Sequence, residues 1–223
     1  MKTIQFSFYL FILGSFTSLF AQEESGNGLL LPRFEKGIVV YKNGVRSSAS
    51  LNYDMIRQQM VLLDADSTVM GLGNLSEVSA VIIGERRFLP ASPQGVSYEV
   101  IPAGKASFFV KRKATLLSKG KPLPFGGYSQ TSSAISYGSW QTELGGTVKL
   151  NRNEELQLDI KYTYYLKSGN SYKSFYSAKT LGKLFKGYTS DIEKFANEQS
   201  INFSKMEDIA RIVEYACSLV SNE

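Results

Sequence analysis

Residues 156–166, LQLDIKYTYYL, alternate apolar and polar side chains with a period of two. The leucine, isoleucine and tyrosine residues at even positions share one face. The other face carries Gln157, Asp159, Lys161 and Thr163. This alternation is typical of a β-strand, because successive side chains of a strand point to opposite faces of the sheet. We therefore expect a sheet with one buried face and one hydrated face.

Short segments rich in β-branched and aromatic residues recur through most of the chain, separated by turn residues. The sharpest turn signal is Asn43-Gly44, because both residues tolerate the positive φ that a two-residue hairpin turn requires. About ten such segments, roughly 8 to 12 residues apart, are typical of an antiparallel sheet. The predicted strands are residues 33–41, 45–53, 57–63, 67–72, 78–83, 86–89, 97–101, 106–117, 156–166 and 171–176.

From residue 178 onwards the apolar residues recur with helical spacing. We expect one short helix over residues 178–186 and two further helices, opened by the capping-box pairs Ser190 with Glu193 and Ser204 with Glu207. The apolar stripe of the last helix consists of Ile209, Ile212, Val213, Ala216 and Leu219. Such a stripe must be buried. We expect it to pack on the sheet, and binding to a partner helix is the alternative.

Strands followed by helices predict an α+β fold. We expect a mainly antiparallel β-sandwich or curled β-meander with two to three C-terminal helices packed on it. The expected organisation is a signal peptide (1–21), a polar leader (22–32), a β-rich domain (33–177) and a C-terminal helical segment (178–223). The Gly/Ser-rich stretch near residues 120–142 predicts a mobile surface loop within the β-rich domain.

The first 21 residues have the pattern of a secretory signal peptide, one lysine, an apolar run and then small and polar residues. The predicted cleavage lies between Ala21 and Gln22, although Leu19 is large for its position, which leaves an uncleaved anchor open. Because the single cysteine, Cys217, cannot form an internal disulfide, the fold must be held by packing. We expect export by the general secretory route to the periplasm, the outer membrane or the exterior.

The chain contains no histidine, and this excludes Ser-His-Asp and Cys-His catalysis together with histidine-ligated zinc. A four-cysteine metal site is excluded as well. Ser118 and Lys121 have the S-x-x-K spacing, but the intervening Gly120 does not favour the helix that such a dyad needs. We expect neither a metal nor a cofactor. A pair of carboxylates drawn from Glu85, Glu99, Glu154 and Glu155 stays open for a histidine-independent hydrolase.

The basic character of the chain is concentrated in residues 100–142, which hold six cations and no acid. Within residues 105–121, the basic ribbon, alternation directs Lys111 and Lys113 outward and places Arg112 on the apolar face, near an edge of the sheet. Outward lysines discourage edge strands from pairing with other chains, so this part of the sequence has an explanation that needs no ligand.

The alternative is recognition of an anionic polymer by the basic ribbon and by the aromatic residues of the following loop. The candidate residues are Lys111, Lys113, Lys119, Lys121, Tyr128, Tyr137 and Trp140. Export argues against nucleic acid and favours an anionic glycan or a lipid head group. On heparin-agarose at low salt, the variant with the four lysines reversed in charge should then be retained less and elute earlier than the wild type. Unchanged elution would contradict this hypothesis.

Two parts of the sequence resemble uncharacterised exported β-rich proteins of Gram-negative bacteria. The first comprises Lys36-Gly37, Asn43-Gly44 and residues 51–54 (LNYD). The second comprises LGKLF, IEKF, INF and EDIARIVEY between residues 181 and 215. This resemblance implies an exported β-rich domain with a helical C-terminal end. It carries over no functional residues, because no activity is established for those proteins.

We therefore expect an exported, non-enzymatic protein with a role in binding or envelope assembly. Its partner would be an anionic envelope polymer or another envelope protein. Three alternatives remain: binding of an anionic glycan or lipid head group through the basic ribbon, transport of an apolar ligand inside the curled sheet, and histidine-independent hydrolysis.

Overall fold

The computed structural model describes residues 28–92, 95–118, 156–169 and 171–221, which form ten strands followed by three helices. The predicted signal peptide, most of the polar leader and the predicted mobile loop lie outside the described residues. The strands are β1 Glu35–Tyr41, β2 Arg46–Asp54, β3 Gln59–Leu63, β4 Val69–Gly71, β5 Val78–Ile83, β6 Arg86–Pro90, β7 Ser97–Ala103, β8 Ala106–Ser118, β9 Leu156–Ser168 and β10 Ser171–Phe175. The helices are α1 Ala178–Gly182, α2 Thr189–Glu198 and α3 Met206–Ser221.

All ten strands belong to one open antiparallel sheet with the order β10-β9-β8-β7-β6-β5-β1-β2-β3-β4. Two meanders, β1–β4 and β5–β10, lie side by side and are joined where β1 pairs with β5. The predicted α+β class with C-terminal helices is confirmed. Because there is a single sheet, the curled meander describes it and the two-sheet sandwich does not.

The sheet curls until the turn between β2 and β3 touches strands that are not its neighbours in the sheet. The backbone N–H of Ala114 in β8 donates to the carbonyl of Met55 over 2.9 Å, and that of Ser97 in β7 donates to Gln58 over 3.2 Å. The hydroxyl of Tyr53 also donates to the carbonyl of Ser97 over 3.2 Å. These bonds hold β2 and β3 against β7 and β8.

The buried side chains form two apolar clusters. The helix cluster lies between β7–β10 and the helices and includes Phe108, Val110 and Phe175. The curl cluster lies inside the curled part of the sheet and includes Leu51, Tyr53, Met60, Phe88 and Ala114. Strand β8 contributes to both clusters, with Phe108 and Val110 in the helix cluster and Ala114 in the curl cluster. Arg112 lies between these two sets of apolar residues.

The apolar stripe of α3 packs on the sheet as predicted. Ile209, Ile212, Val213 and Ala216 are fully buried in the helix cluster, and α3 contacts β7 and β8. The alternative, a stripe exposed for a partner helix, is therefore wrong. Across residues 28–92, 95–118, 156–169 and 171–221, no helix has both the length and the apolar composition that a membrane crossing requires.

The predicted capping boxes are not where the helices begin. Helix α2 starts at Thr189, and Tyr188 before it makes no side-chain capping bond, so the pair starting at Ser190 is wrong. The first helical bond of α3 runs from the N–H of Ile209 to the carbonyl of Lys205, which lies one residue beyond Ser204. The capping box in the structure joins Ser177 and Thr180 at the start of α1.

Candidate functional site

The basic ribbon does not lie at an edge of the sheet. Strand β8 pairs with β7 on one side and with β9 on the other, so the edge interpretation of its lysines is wrong. Lys111 is half-buried and Lys113 is exposed, both on the face of β8 opposite to Arg112. The other candidates of the anionic-polymer hypothesis, Lys119, Lys121, Tyr128, Tyr137 and Trp140, lie outside the described residues.

The outer face beside Lys111 carries an aromatic group that sequence reasoning missed. The rings of Tyr98 and Tyr165 stack at 4.7 Å, and Tyr172 meets Tyr98 and Phe109 edge to face at 5.0 Å. These residues come from β7, β8, β9 and β10, so no local pattern brings them together. The rings pack mainly on one another, which favours a small apolar cluster on this face of the sheet.

A row of four polar residues crosses the inner face between the helix cluster and the curl cluster. Arg86 of β6, Glu99 of β7, Arg112 of β8 and Tyr162 of β9 make up this row. Its position follows from the strand register, because Phe88 opposes Glu99 and Arg112 opposes Tyr162. Since side chains alternate along each strand, these four residues all point toward the helices.

In the row one carboxylate faces two guanidinium groups. Arg112 Nη1 is in contact with Glu99 Oε2, and Arg86 Nη1 lies 3.6 Å from Glu99 Oε1. The guanidinium of Arg112 also lies over the ring of Tyr162, 5.7 Å from its centroid, a cation–π arrangement. Arg112 and Glu99 are each only 4% exposed, so water does not replace these contacts.

Within the row two arginines share one carboxylate, and Glu35 of β1 adds negative charge near Arg86. Burial lowers the pKa of Arg112, and repulsion from Arg86 lowers it further. Burial also lowers the pKa of Arg86, while the charge of Glu35 acts in the opposite direction. Arginine nevertheless stays protonated at neutral pH, because its ordinary pKa exceeds 12. The row therefore holds two cations and one carboxylate in a largely dry environment.

Three nitrogens of the row, Nη1 of Arg86 and both Nε and Nη1 of Arg112, are buried without a hydrogen-bond partner, as is Oε2 of Glu99, although Glu99 Oε2 and Arg112 Nη1 form an ion pair. Buried polar groups of folded proteins are nearly always hydrogen-bonded, and each exception needs an explanation. Nη1 of Arg86 at least has Glu99 at ion-pair distance, whereas Nε of Arg112 has no counterpart. Among the described residues, Nε of Arg112 is thus a buried donor without an acceptor.

Both arginines open onto a cavity of about 210 Å³ between the inner face of the sheet and the beginning of α3. We call this space the arginine cavity. It is lined by Arg86, Arg112, Tyr162, Tyr164, Ser204, Lys205, Met206 and Glu207. Helix α3 has 16 residues, and its N-terminal end carries the positive end of the helix dipole but also Glu207 and Asp208 in its first turn. The sheet wall of the cavity is therefore positive, whereas the helix wall carries charges of both signs, Lys205 and Glu207.

The carboxylates considered for hydrolysis are not brought together as a pair in the described residues. Glu99 is buried against the two arginines, Glu85 is exposed in the turn between β5 and β6, and Glu154 and Glu155 lie outside the described residues. Another carboxylate, Asp64, lies in the turn between β3 and β4, where it accepts hydrogen bonds from the N–H groups of Asp66 and Thr68. The described residues also contain no group of three or more His, Cys, Asp or Glu that could hold a metal ion.

The sequence contained a signal for the row, namely a charged residue on the apolar face of a strand. Arg112 interrupts the inward set Phe108, Val110 and Ala114, and this placement is confirmed. The partners of Arg112 could not be read from the sequence, because they come from three other strands and from the start of α3. The chain matches no protein-family model, no curated protein and no solved structure.

Proposed function

We propose that this chain is a binding protein that takes a small anion into the arginine cavity. The observation that carries the proposal is Nε of Arg112, which is buried, lacks a hydrogen-bond partner and belongs to a side chain in the cavity wall. A bound anion would supply the missing acceptor. A hydrogen bond to a charged group contributes about 1.5–3 kcal/mol, so this single contact decides much of the affinity.

Three further features of the cavity favour an anion. Arg86 lies in the same wall and brings a second guanidinium. Lys205 adds an ammonium group at the loop before α3. The dipole of α3 favours negative charge at its N-terminal end, where Glu207 partly offsets it. An apolar ligand, the cargo of the carrier hypothesis, would leave all of these groups unsatisfied.

The chemistry of the row supports binding without catalysis. Guanidinium groups donate hydrogen bonds and stay charged, so they hold an anion but do not remove a proton from a substrate. Glu99 is engaged by both arginines. We therefore keep the non-enzymatic class in the proposal and give the protein a specific task, the retention of an anionic ligand.

The proposal includes export, because the first 21 residues have the pattern of a signal peptide. When the full-length sequence is expressed, the protein should then be recovered from the cell envelope or the medium. N-terminal sequencing of that material should begin at Gln22, whereas a chain that keeps Met1 and stays in the cytoplasm would contradict this part.

The binding function is tested with the variants Arg112→Met and Arg86→Met, measured by calorimetric titration with acetate, benzoate, sulfate and phosphate at low chloride. The wild type should bind at least one of these anions and gain thermal stability from it, because a ligand of the folded state raises the melting temperature. Each variant should lose affinity by about 10-fold or more, since tenfold corresponds to 1.4 kcal/mol.

The matched control is Arg87→Met, which removes the same charge from the neighbouring, exposed position of β6. It should bind as the wild type does. If the buried Arg112→Met variant does not fold, the partly exposed Arg86→Met variant keeps the test decisive. Equal affinity in Arg86→Met and Arg87→Met, or no binding of any anion by the wild type, would overturn the proposal.

A further inference from the structure

We propose a second binding site, for an acidic polysaccharide, on the outer face of the sheet. We call it the tyrosine–lysine surface, and its residues are Tyr98, Lys111, Lys113, Tyr165, Lys167 and Tyr172. Two of the lysines were suggested by the sequence, and the other four residues come from β7, β9 and β10. The site goes beyond the proposed function, because it lies on the face of the sheet opposite to Arg112 and the arginine cavity.

The lysines of this surface do not protect an edge of the sheet. Lys111 and Lys113 lie on β8, which pairs on both sides, and Lys167 lies on β9, which pairs with β8 and β10. Strand alternation places all three on the outer face together with Lys161. Strands β7–β10 contribute one carboxylate to that face, Asp159, and it pairs with Lys161 over 3.5 Å. In the described part of the chain, the other three lysines thus have no acidic partner.

Three tyrosine rings give the surface an ordered aromatic centre. Tyr98 and Tyr165 stack at 4.7 Å, and Tyr172 meets Tyr98 edge to face at 5.0 Å. All three side chains are partly exposed, whereas Phe109, which contacts the ring of Tyr172, is 6% exposed. Aromatic faces are electron-rich, so they attract positively polarised C–H groups such as those of a sugar ring. Because the rings already pack on one another, binding orders them at little further cost.

Positive charge beside aromatic rings is complementary to a chain of sugar rings that bear anionic groups. The lysines attract the charges of such a chain, and the tyrosines contact its C–H faces. The surface lies on the convex side of the curled sheet, which suits a linear polymer that makes many weak contacts along its length. A flat membrane would touch a convex surface only along a narrow strip. Export, as proposed above, brings the chain to glycans and away from nucleic acid.

The test measures binding of heparin by calorimetric titration of the purified exported chain. The ionic strength is about 0.1 M, where charges more than about 10 Å apart are largely screened. The variant Lys111→Gln/Lys113→Gln/Lys167→Gln should bind heparin about 10-fold more weakly, because it removes three exposed ion pairs with the polymer. If half-buried Lys111 does not tolerate the change, the exposed pair Lys113→Gln/Lys167→Gln keeps the test decisive.

The matched control is Lys179→Gln/Lys183→Gln/Lys186→Gln, which removes the same charge from exposed positions in and after α1. It should stay within about twofold of the wild type, because these lysines belong to the helical side of the sheet. Equal losses in the two triple variants, or a wild type that does not bind heparin, would overturn the proposal.

The sugar rings are tested with Tyr172→Thr, which keeps a residue suited to a strand and removes the ring. This variant should lose about threefold in affinity for heparin and less for polyphosphate, an anionic polymer without sugar rings. Equal losses for both polymers would overturn the polysaccharide. Tighter binding to phosphatidylglycerol vesicles than to heparin would overturn it in favour of a membrane surface. None of these outcomes depends on whether the arginine cavity binds a small anion.

Discussion

Replacement of Glu99 by glutamine should destabilise the fold by about 3–5 kcal/mol, the usual effect of removing one partner from a buried ion pair. Glu99 is 4% exposed and is the one carboxylate that touches both Arg86 and Arg112. Glutamine keeps the size and the polar head but removes the charge. The buried guanidinium of Arg112 would then lose its ion-pair partner and still face Arg86.

Urea unfolding followed by circular dichroism measures this effect, with Glu85→Gln as the matched control. Glu85 is exposed in the turn between β5 and β6, so its variant should stay within about 0.5 kcal/mol of the wild type. The double variant Glu99→Gln/Arg112→Met should recover part of the loss, because the second change removes one of the two uncompensated charges. A loss below about 1 kcal/mol in Glu99→Gln would show that the row is not a buried ion network.

Truncation of Ile212 to alanine should cost about 2–5 kcal/mol, the range for deleting a large aliphatic side chain from a packed core. Ile212 is fully buried where α3 meets the sheet, in the same cluster as Phe108 and Val110. The loss combines the transfer free energy of the deleted carbons with the cavity that they leave. Such a loss is a large fraction of the 5–15 kcal/mol that stabilises a typical domain.

The control for this variant is Val220→Ala on the same helix, because Val220 is 49% exposed. It should change the free energy of unfolding by less than about 0.5 kcal/mol. Thermal and urea unfolding of both variants, each followed by circular dichroism, gives the comparison. Similar small losses in both variants would mean that α3 does not contribute its stripe to the core.

The positions of the strands were predictable from the sequence, because alternating side chains and turn residues are local patterns. The alternation in residues 156–166 placed Leu158, Ile160 and Tyr164 correctly on the apolar face of β9, and the turn at Asn43-Gly44 separates β1 from β2 as expected. The lateral order of the strands was not predictable, since the pairing of β1 with β5 joins segments that no local pattern connects. For the same reason the sequence could not show that β8 is an interior strand.

The helix starts were less predictable, because several residues near each start are able to cap a helix. Ser190 and Glu193 have capping-box spacing, yet α2 begins at Thr189. Helix α1 ends at Gly182 and is therefore shorter than predicted. A Cβ at Gly182 would lie 2.8 Å from the Cα of Thr189, so glycine at this position allows α1 and α2 to approach closely. Packing between helices decides these boundaries over local preference.

The candidate site was predictable only in its central residue. Counting charges along the sequence drew attention to the lysines of the basic ribbon, which dominate the net charge because they are numerous. The more informative cation was the single arginine on the apolar face of the same strand. Its significance depends on Glu99 and on the start of α3, and neither is close to Arg112 in the sequence.

The arginine cavity has one wall made of strands and the other made by the start of α3. A ligand that touches both walls contacts the sheet and α3 at the same time. Ligand binding and the packing of α3 on the sheet are therefore thermodynamically linked. Bound ligand therefore lowers the population of molecules with α3 opened, and a substitution that populates the opened state lowers the apparent affinity for the ligand. Amide hydrogen exchange in α3 should therefore be slower when the cavity is occupied.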